Sequence, residues 1–357
     1  MSRTAQAACP LRFQFYAMNT DIEVQLTADR EQAEHAASLV QNWFETQERR
    51  FSRFVAGSEL NRLNKSKGWV PVSAAMDEVL SLAYGCIGQT EGIFQPGISR
   101  ALRASGYDIS FEKVQQRAFR RPLLKRLLGT EQSEPVRSLQ DTPDYSRPTW
   151  IQQEGSRMVH LDPGTELDLG GIVKGWAVER IADWLQRTMN IPAGMINAGG
   201  DVQVWGTAHH PHWTLEVTSP FSLKRGMTGA VRLQQGAVAT SGITRRQWQH
   251  GNGRTVHHLI DPRTMEPADT DILQCTVMGQ HASQCEITAK TVCILGSVEA
   301  VRWLNRHYDR HDVLWMTRDG CLYFRGNTAA LAERWPGFDP DHRFSLIGQG
   351  AEQNKSK

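Results

Sequence analysis

The chain has 357 residues, is 40% hydrophobic, and sets 40 Lys and Arg against 38 Asp and Glu, for a formal net charge of +2 with neutral histidines. That length and apolar content suffice for one large domain or two smaller ones with a buried core. The near balance of charge gives no reason to expect nucleic acid, an anionic membrane or an acidic partner, and no run approaches the roughly 20 apolar residues a membrane-spanning helix needs.

At the N-terminus, MSRTAQAACPLRF has no apolar stretch of signal-peptide length, and nothing hydrophobic precedes Cys9. A cytosolic location is therefore expected. Cys9, Cys86, Cys275, Cys285, Cys293 and Cys321 form no CxxC pair and read as free thiols of a reducing compartment. Residues 13–26 alternate in the manner of a strand, through Phe15, Met18, Ile22 and Val24. Residues 31–49 carry Ala36, Leu39, Val40, Trp43 and Phe44 near helical spacing. A short helix starts after Ser58, and a longer one covers 75–90.

Residues 100–150 are rich in Arg, Lys, Gln, Ser and Pro. They read as a polar surface insertion, with a basic cluster at Arg117, Arg120, Arg121, Lys125 and Arg126 on a solvated face. Beyond Trp150, strands are expected at 157–162 and 166–169, then a helix from about Gly175 to Thr188 with Val178, Ile181, Ala182 and Leu185 on one face. Strands follow around 196–206, in WTLEVTSP, and near 228–233, 256–260 and 272–279. Helices are expected over 283–294 and 297–308, a hairpin over 312–325, and a disordered polar tail over 349–357. Residues 10–348 read as one mixed α/β (α+β) domain.

Four stretches carry chemistry. In LDLGGIVKG, residues 167–175, paired glycines precede Lys174 at a helix start. Open backbone N–H groups and a helix dipole there favour an anion, although such a segment is also an ordinary turn. In NAGGD, residues 197–201, a second glycine pair precedes Asp201, which equally suits a hairpin turn. After ATSG at 239–242 comes HHLIDPRT at 257–264. Only one of His257 and His258 can face a given cleft from a strand, and a histidine near Asp261 is a candidate general base. In QCEITAKTVCILG, residues 284–296, Glu286 and Lys290 share a helix face and read as an i,i+4 pair. The histidines of HHPH, 209–212, read as a surface loop.

In this order, FYAMNTDIEV, RFSRF with SELNRLN, GIFQPGI and these four stretches together resemble the FAD:protein FMN transferases, the ApbE-like family. The resemblance covers roughly 13–100 and 150–325. It implies a T-fold-like α/β domain with FAD in a deep cleft and a Mg²⁺-dependent transfer of FMN to a Ser or Thr hydroxyl of an acceptor flavoprotein, with AMP released. Carried over by position, it implies FAD contacts at Met18, Phe54, Ile93, Phe94, Gln95, Asp168, Lys174 and Leu259. It also implies a proton acceptor at His258 and metal ligands at Gly171, Glu286 and Lys290.

Four positions depart from the family pattern. Asn19 stands where Gly is usual, and Gln95 replaces the Asp of an FDP triplet. Glu286 and Lys290 stand where the metal helix usually carries Asp and Thr. A lysine ammonium has no lone pair for a metal. Two arrangements follow: Lys290 supplies part of the metal's charge, or Mg²⁺ still binds through Glu286, Gly171, phosphate and water. A flavin carrier without catalysis and a hydrolase splitting FAD into FMN and AMP are the alternatives to transfer.

Overall fold

Apolar residues face both sides of one sheet, and that sheet organises the molecule. The computed structural model describes residues 10–117, 149–153, 155–206, 212–221, 227–250, 253–307 and 311–346. Nine strands cross the sheet in chain order: Leu11–Ala17, Thr20–Thr27, Ala193–Ala198, Asp201–Trp205, Gly236–Gly242, Ile272–Gly279, Asp312–Thr317, Leu322–Gly326 and His342–Ser345. Neighbours are antiparallel up to the last pair, Leu322–Gly326 with His342–Ser345, which is parallel.

The two-residue period of a strand splits its side chains between two cores. In Gly236–Gly242, Ala237 and Ala239 join the larger core while Val238 joins the smaller; in Asp312–Thr317, Val313 and Trp315 oppose Leu314. The larger core is closed by the helices Arg30–Phe51, Ala74–Gln89, Val173–Arg187 and Ala282–His307. The smaller is closed by the hairpin Trp213–Thr218 with Met227–Leu233 and by Leu331, Trp335 and Phe338. The Arg30–Phe51 helix shows the local logic. The Asp29 carboxylate caps it by accepting from Gln32 N at 2.9 Å, which satisfies a free N-terminal donor. Ala33, Ala36, Val40 and Phe44, at helical spacing, are fully buried.

Three sequence expectations are corrected. Residues 13–26 form a hairpin rather than one strand, because Met18 and Asn19 both take positive φ, 51° and 63°. A two-residue turn of that kind reverses the chain without interrupting the alternation around it. Residues 166–169 lie outside any ladder. Leu167 exchanges hydrogen bonds with the Asn64 side chain instead, and Asp168 N donates to Pro96 O at 2.8 Å. The segment from 100 onward does not begin as surface. Ala101, Leu102, Tyr107 and Val114 are buried in a third core with Trp248, Val256, Ile260 and Met265, because scattered apolar residues in a polar stretch found a partner distant in sequence. The two helices expected at 283–294 and 297–308 are both present within Ala282–His307, separated at Gly296, whose φ of 73° and ψ of 166° are not helical.

Arg117 pairs with Asp108 at the surface. Cys9, Arg120, Arg121, Lys125, Arg126, His209, His210 and the 349–357 tail lie outside the described residues. Among the described residues, no helix is long and apolar enough to cross a membrane.

Candidate active site

Two glycine turns, one strand end and one helix converge on a cleft of about 330 Å³, within the size range of small-molecule sites. The sheet does the gathering. Gly199 and Gly200 form the turn between Ala193–Ala198 and Asp201–Trp205, both with positive φ. A Cβ on Gly199 would lie 2.1 Å from Thr20 Oγ1, so only glycine fits beside the neighbouring hairpin. Thr240 N donates to Gly200 O at 3.1 Å, drawing the 239–242 stretch to the same wall. The other turn, Gly170–Gly171, leads into the Val173–Arg187 helix.

Behind these turns lies a buried ion quartet. Lys174 Nζ donates to Asp201 through a very short contact and to Glu286 Oε1 at 2.8 Å. Lys290 Nζ donates to the same Glu286 oxygen at 2.6 Å, and Gly175 N donates to Glu286 Oε2 at 2.9 Å. Glu286 is 0% exposed. Burial opposes its charge, but Lys174 and Lys290 outweigh burial and hold its carboxyl down at about 2. Burial likewise opposes the charge of Lys174, which Asp201 and Glu286 keep protonated. Asp201 is raised, by burial and by Glu286, against the pull of Lys174. Lys290 is lowered, by burial first, with Glu286 resisting and Lys174 adding like-charge repulsion.

Gly175 sets how closely the two helices meet at this quartet. A Cβ there would lie 2.8 Å from Ala282 O and Ser283 Cα and 2.9 Å from Glu286 Oε2. Gly175→Ala is expected to cost about 1–3 kcal/mol through overpacking against a backbone that cannot step aside. A urea unfolding midpoint measures it, and an unchanged midpoint would show that the helices can separate.

His258 lines the cleft beyond the end of the strand Thr255–His257. Its Nδ1 is buried without a hydrogen-bond partner. Burial, then the charges of Arg246 and Lys290 and the neighbouring His257, push its pKa well below the ordinary histidine value, against a hydrogen bond to the Arg246 backbone. The ring is therefore neutral at neutral pH. His257 turns the other way, Nε2 lying 3.0 Å from Ala268 O, and burial lowers it to about 4. Asp261 does not orient His258; it forms a bidentate pair with Arg263, with contacts of 2.8 to 3.1 Å.

The other anticipated positions also line the cleft: Met18, Phe54, Ile93, Phe94, Gln95, Asp168, Lys174 and Leu259. Gln95 is nearly fully buried, and its Oε1 accepts from Gly97 N. Asp168 binds Arg53 Nε at 2.6 Å and Gly170 N at 2.8 Å. Arg53 was not singled out in the sequence. Its guanidinium carbon lies 4.2 Å from the Phe54 ring centroid and 4.6 Å from that of Tyr107, close enough for a cation–π contact with both rings. Tyr107, Arg245 and Arg246 also line the cleft and were missed; they sit in segments with no motif to mark them.

The three residues expected to hold Mg²⁺ do come together. A Cβ on Gly171 would lie 3.6 Å from Lys290 Cε, and Lys290 is bonded to Glu286. They do not fit a divalent cation. Both Glu286 oxygens are taken by N–H donors, two of them cationic. Lysine offers no lone pair, and an ammonium repels a metal ion. Among the described residues, no three His, Cys, Asp or Glu side chains are grouped to hold one.

The cleft brings together two glycine turns, the ammonium groups of Lys174 and Lys290 and the rings of Phe54, Phe94 and Tyr107, a set of groups able to meet negative charge and flat rings. The ApbE family pattern matches residues 18–315, and the chain belongs to the ApbE family. An FAD:protein FMN transferase of Klebsiella pneumoniae is 30% identical over 157 residues, 44% of this chain and 47% of that protein. One of Rhodobacter capsulatus is 26% identical over 333 residues, 91% of this chain and 59% of that protein. The chain thus spans about half to three fifths of the length of these relatives. The ApbE protein of Thermotoga maritima shares the fold at TM-score 0.71 and 20% identity, over 88% of this chain and 96% of that one. The flavinyl transferase ApbE of Pseudomonas stutzeri does so at 0.71 and 16%, over 92% and 98%. The mixed α/β architecture with one large sheet is theirs.

Proposed function

We propose that this protein transfers FMN from FAD to a Ser or Thr hydroxyl of an acceptor flavoprotein. The observation that carries this reading is the unpartnered Nδ1 of neutral His258 in a cleft based on Lys174 and Lys290. The names of the Klebsiella and Rhodobacter relatives support it.

In this scheme the acceptor oxygen attacks the FMN-side phosphorus of FAD and its proton passes to His258 Nδ1. The bond from that phosphorus to the bridging oxygen breaks, and AMP leaves with the bridging oxygen and its negative charge. Phosphoryl transfer asks for positioning and charge stabilisation more than covalent chemistry. Arg246 supplies charge, and Lys174 and Lys290 supply directed N–H donors. Met18 and Phe94 offer polarizable and flat surfaces to the flavin or adenine rings, with Phe54 beside the Arg53 guanidinium. Ile93 and Leu259 add apolar wall, Gln95 braces the 92–98 loop, and Asp168 acts through Arg53, which it anchors.

Incubating the purified protein with FAD and a flavoprotein acceptor bearing a candidate Ser or Thr, then separating products by chromatography, tests the reading. The expected result is AMP in step with FMN on the acceptor. AMP and free FMN without an acceptor would mark a hydrolase, and bound FAD with no AMP under any condition would mark a carrier.

A further inference from the structure

We infer that the Lys290 ammonium occupies the position a divalent cation would take, so that Lys290 and Lys174, tethered together on Glu286, bind the diphosphate bridge of the ligand without a divalent metal. This rests on the proposed reading that the ligand is FAD.

The argument starts from Glu286. A carboxylate that binds a metal must offer it an oxygen lone pair along an open approach. This one has no exposed surface, and it accepts from Lys174, Lys290 and Gly175 N within 2.6 to 2.9 Å. Its role is that of an anchor, holding two ammonium groups on a single oxygen at the back of the cleft.

Each ammonium has three donors. Among the described residues, Lys290 Nζ bonds Glu286 alone, and it lines the cleft beside the Gly170–Gly171 turn. Its remaining donors are available on the side where a bound phosphate would face the Gly171 backbone. Lys174 shares its charge between Glu286 and Asp201 and also lines the cleft. The quartet is formally neutral, two ammoniums against two carboxylates. Arg245 and Arg246 also line the cleft and add cationic charge against a diphosphate, while the lysines provide directed donors. A metal would have to displace an ammonium from a carboxylate it already satisfies, and Asp201 and Asp168, which also line the cleft, are engaged by Lys174 and Arg53.

The test is FAD affinity of the full chain, read by flavin fluorescence in excess EDTA and again in millimolar MgCl₂ at matched ionic strength. The dissociation constant is expected to agree between the two media within about twofold. Lys290→Met is expected to weaken binding by at least about tenfold, a loss of roughly 1.4 kcal/mol, equally in both media. Affinity that tightens about tenfold or more with Mg²⁺ in the unaltered protein would overturn the inference and leave the FAD reading standing, and this arm needs no variant to fold. Unchanged affinity in a folded Lys290→Met protein would also overturn it. Absence of FAD binding in both media would remove the FAD reading and the inference together.

Discussion

Glu286→Leu is expected to lower stability by about 3–5 kcal/mol, the usual cost of removing one partner from a buried charge cluster. The reason lies in what stays behind. Lys290 has Glu286 as its ion-pair partner among the described residues and is largely buried, and Lys174 would keep only Asp201. Gly175 N would also lose its acceptor in a wall closed by backbone. Leucine fills much of the volume but leaves the lysine charge uncompensated, and burial is dear for an ammonium. Chemical denaturation of the two proteins side by side measures the loss. A Glu286→Leu and Lys290→Met double variant is expected to recover part of it, because an apolar pair removes the orphaned charge together with its partner. A loss below about 1 kcal/mol in the single variant, the range of surface pairs, would mean that water reaches the quartet.

The second large effect concerns His258. His258→Ala is expected to slow FMN transfer by about 10²–10⁴-fold, the range for a general base, while FAD affinity changes little, because the ring is assigned to the proton rather than to the diphosphate. His257→Ala serves as the contrast. Its ring bonds Ala268 O inside the fold, so its loss should show in stability with the transfer rate per folded molecule retained. A rate in His258→Ala within a few-fold of the original would remove His258 from the chemistry.

The pH dependence carries a sign. His258 is lowered by burial and by the charges of Arg246, Lys290 and His257, so its basic form persists below the ordinary histidine value of about 6.5. The acid limb of kcat/KM is expected below that pH and should vanish in His258→Ala. Stability follows the same direction. Both histidines bind fewer protons folded than unfolded, so stability is full above about 6.5 and declines as pH falls toward the folded values, about 4 for His257.

Much of this was legible in the chain because it rests on local pattern. Helix spacing gave Arg30–Phe51 and Ala282–His307 nearly to their ends, and glycine pairs marked both turns that wall the cleft. The period of two told that His257 and His258 face opposite ways. The ordered motifs pointed to the family that the matched pattern bears out. The sequence alone also placed a lysine where a metal ligand is usual, a matter of chemical type that no fold can alter.

Other features were decided by distance in space. The hairpin at Met18–Asn19 was hidden because its turn preserves the alternation on either side. Tyr107 and Arg53 became neighbours only when the 99–117 segment packed on Trp248 and Ile260, a contact between residues far apart in the chain. Asp261 lay near His258 in sequence and turned to Arg263 in space. Most of all, the pair at Glu286 and Lys290, an ordinary i,i+4 contact when read along one helix, became a quartet once the sheet carried Lys174 and Asp201 to it. Sequence fixes which charges a chain possesses; only packing, by excluding water and bringing three elements to one cluster, decides which of them are paired.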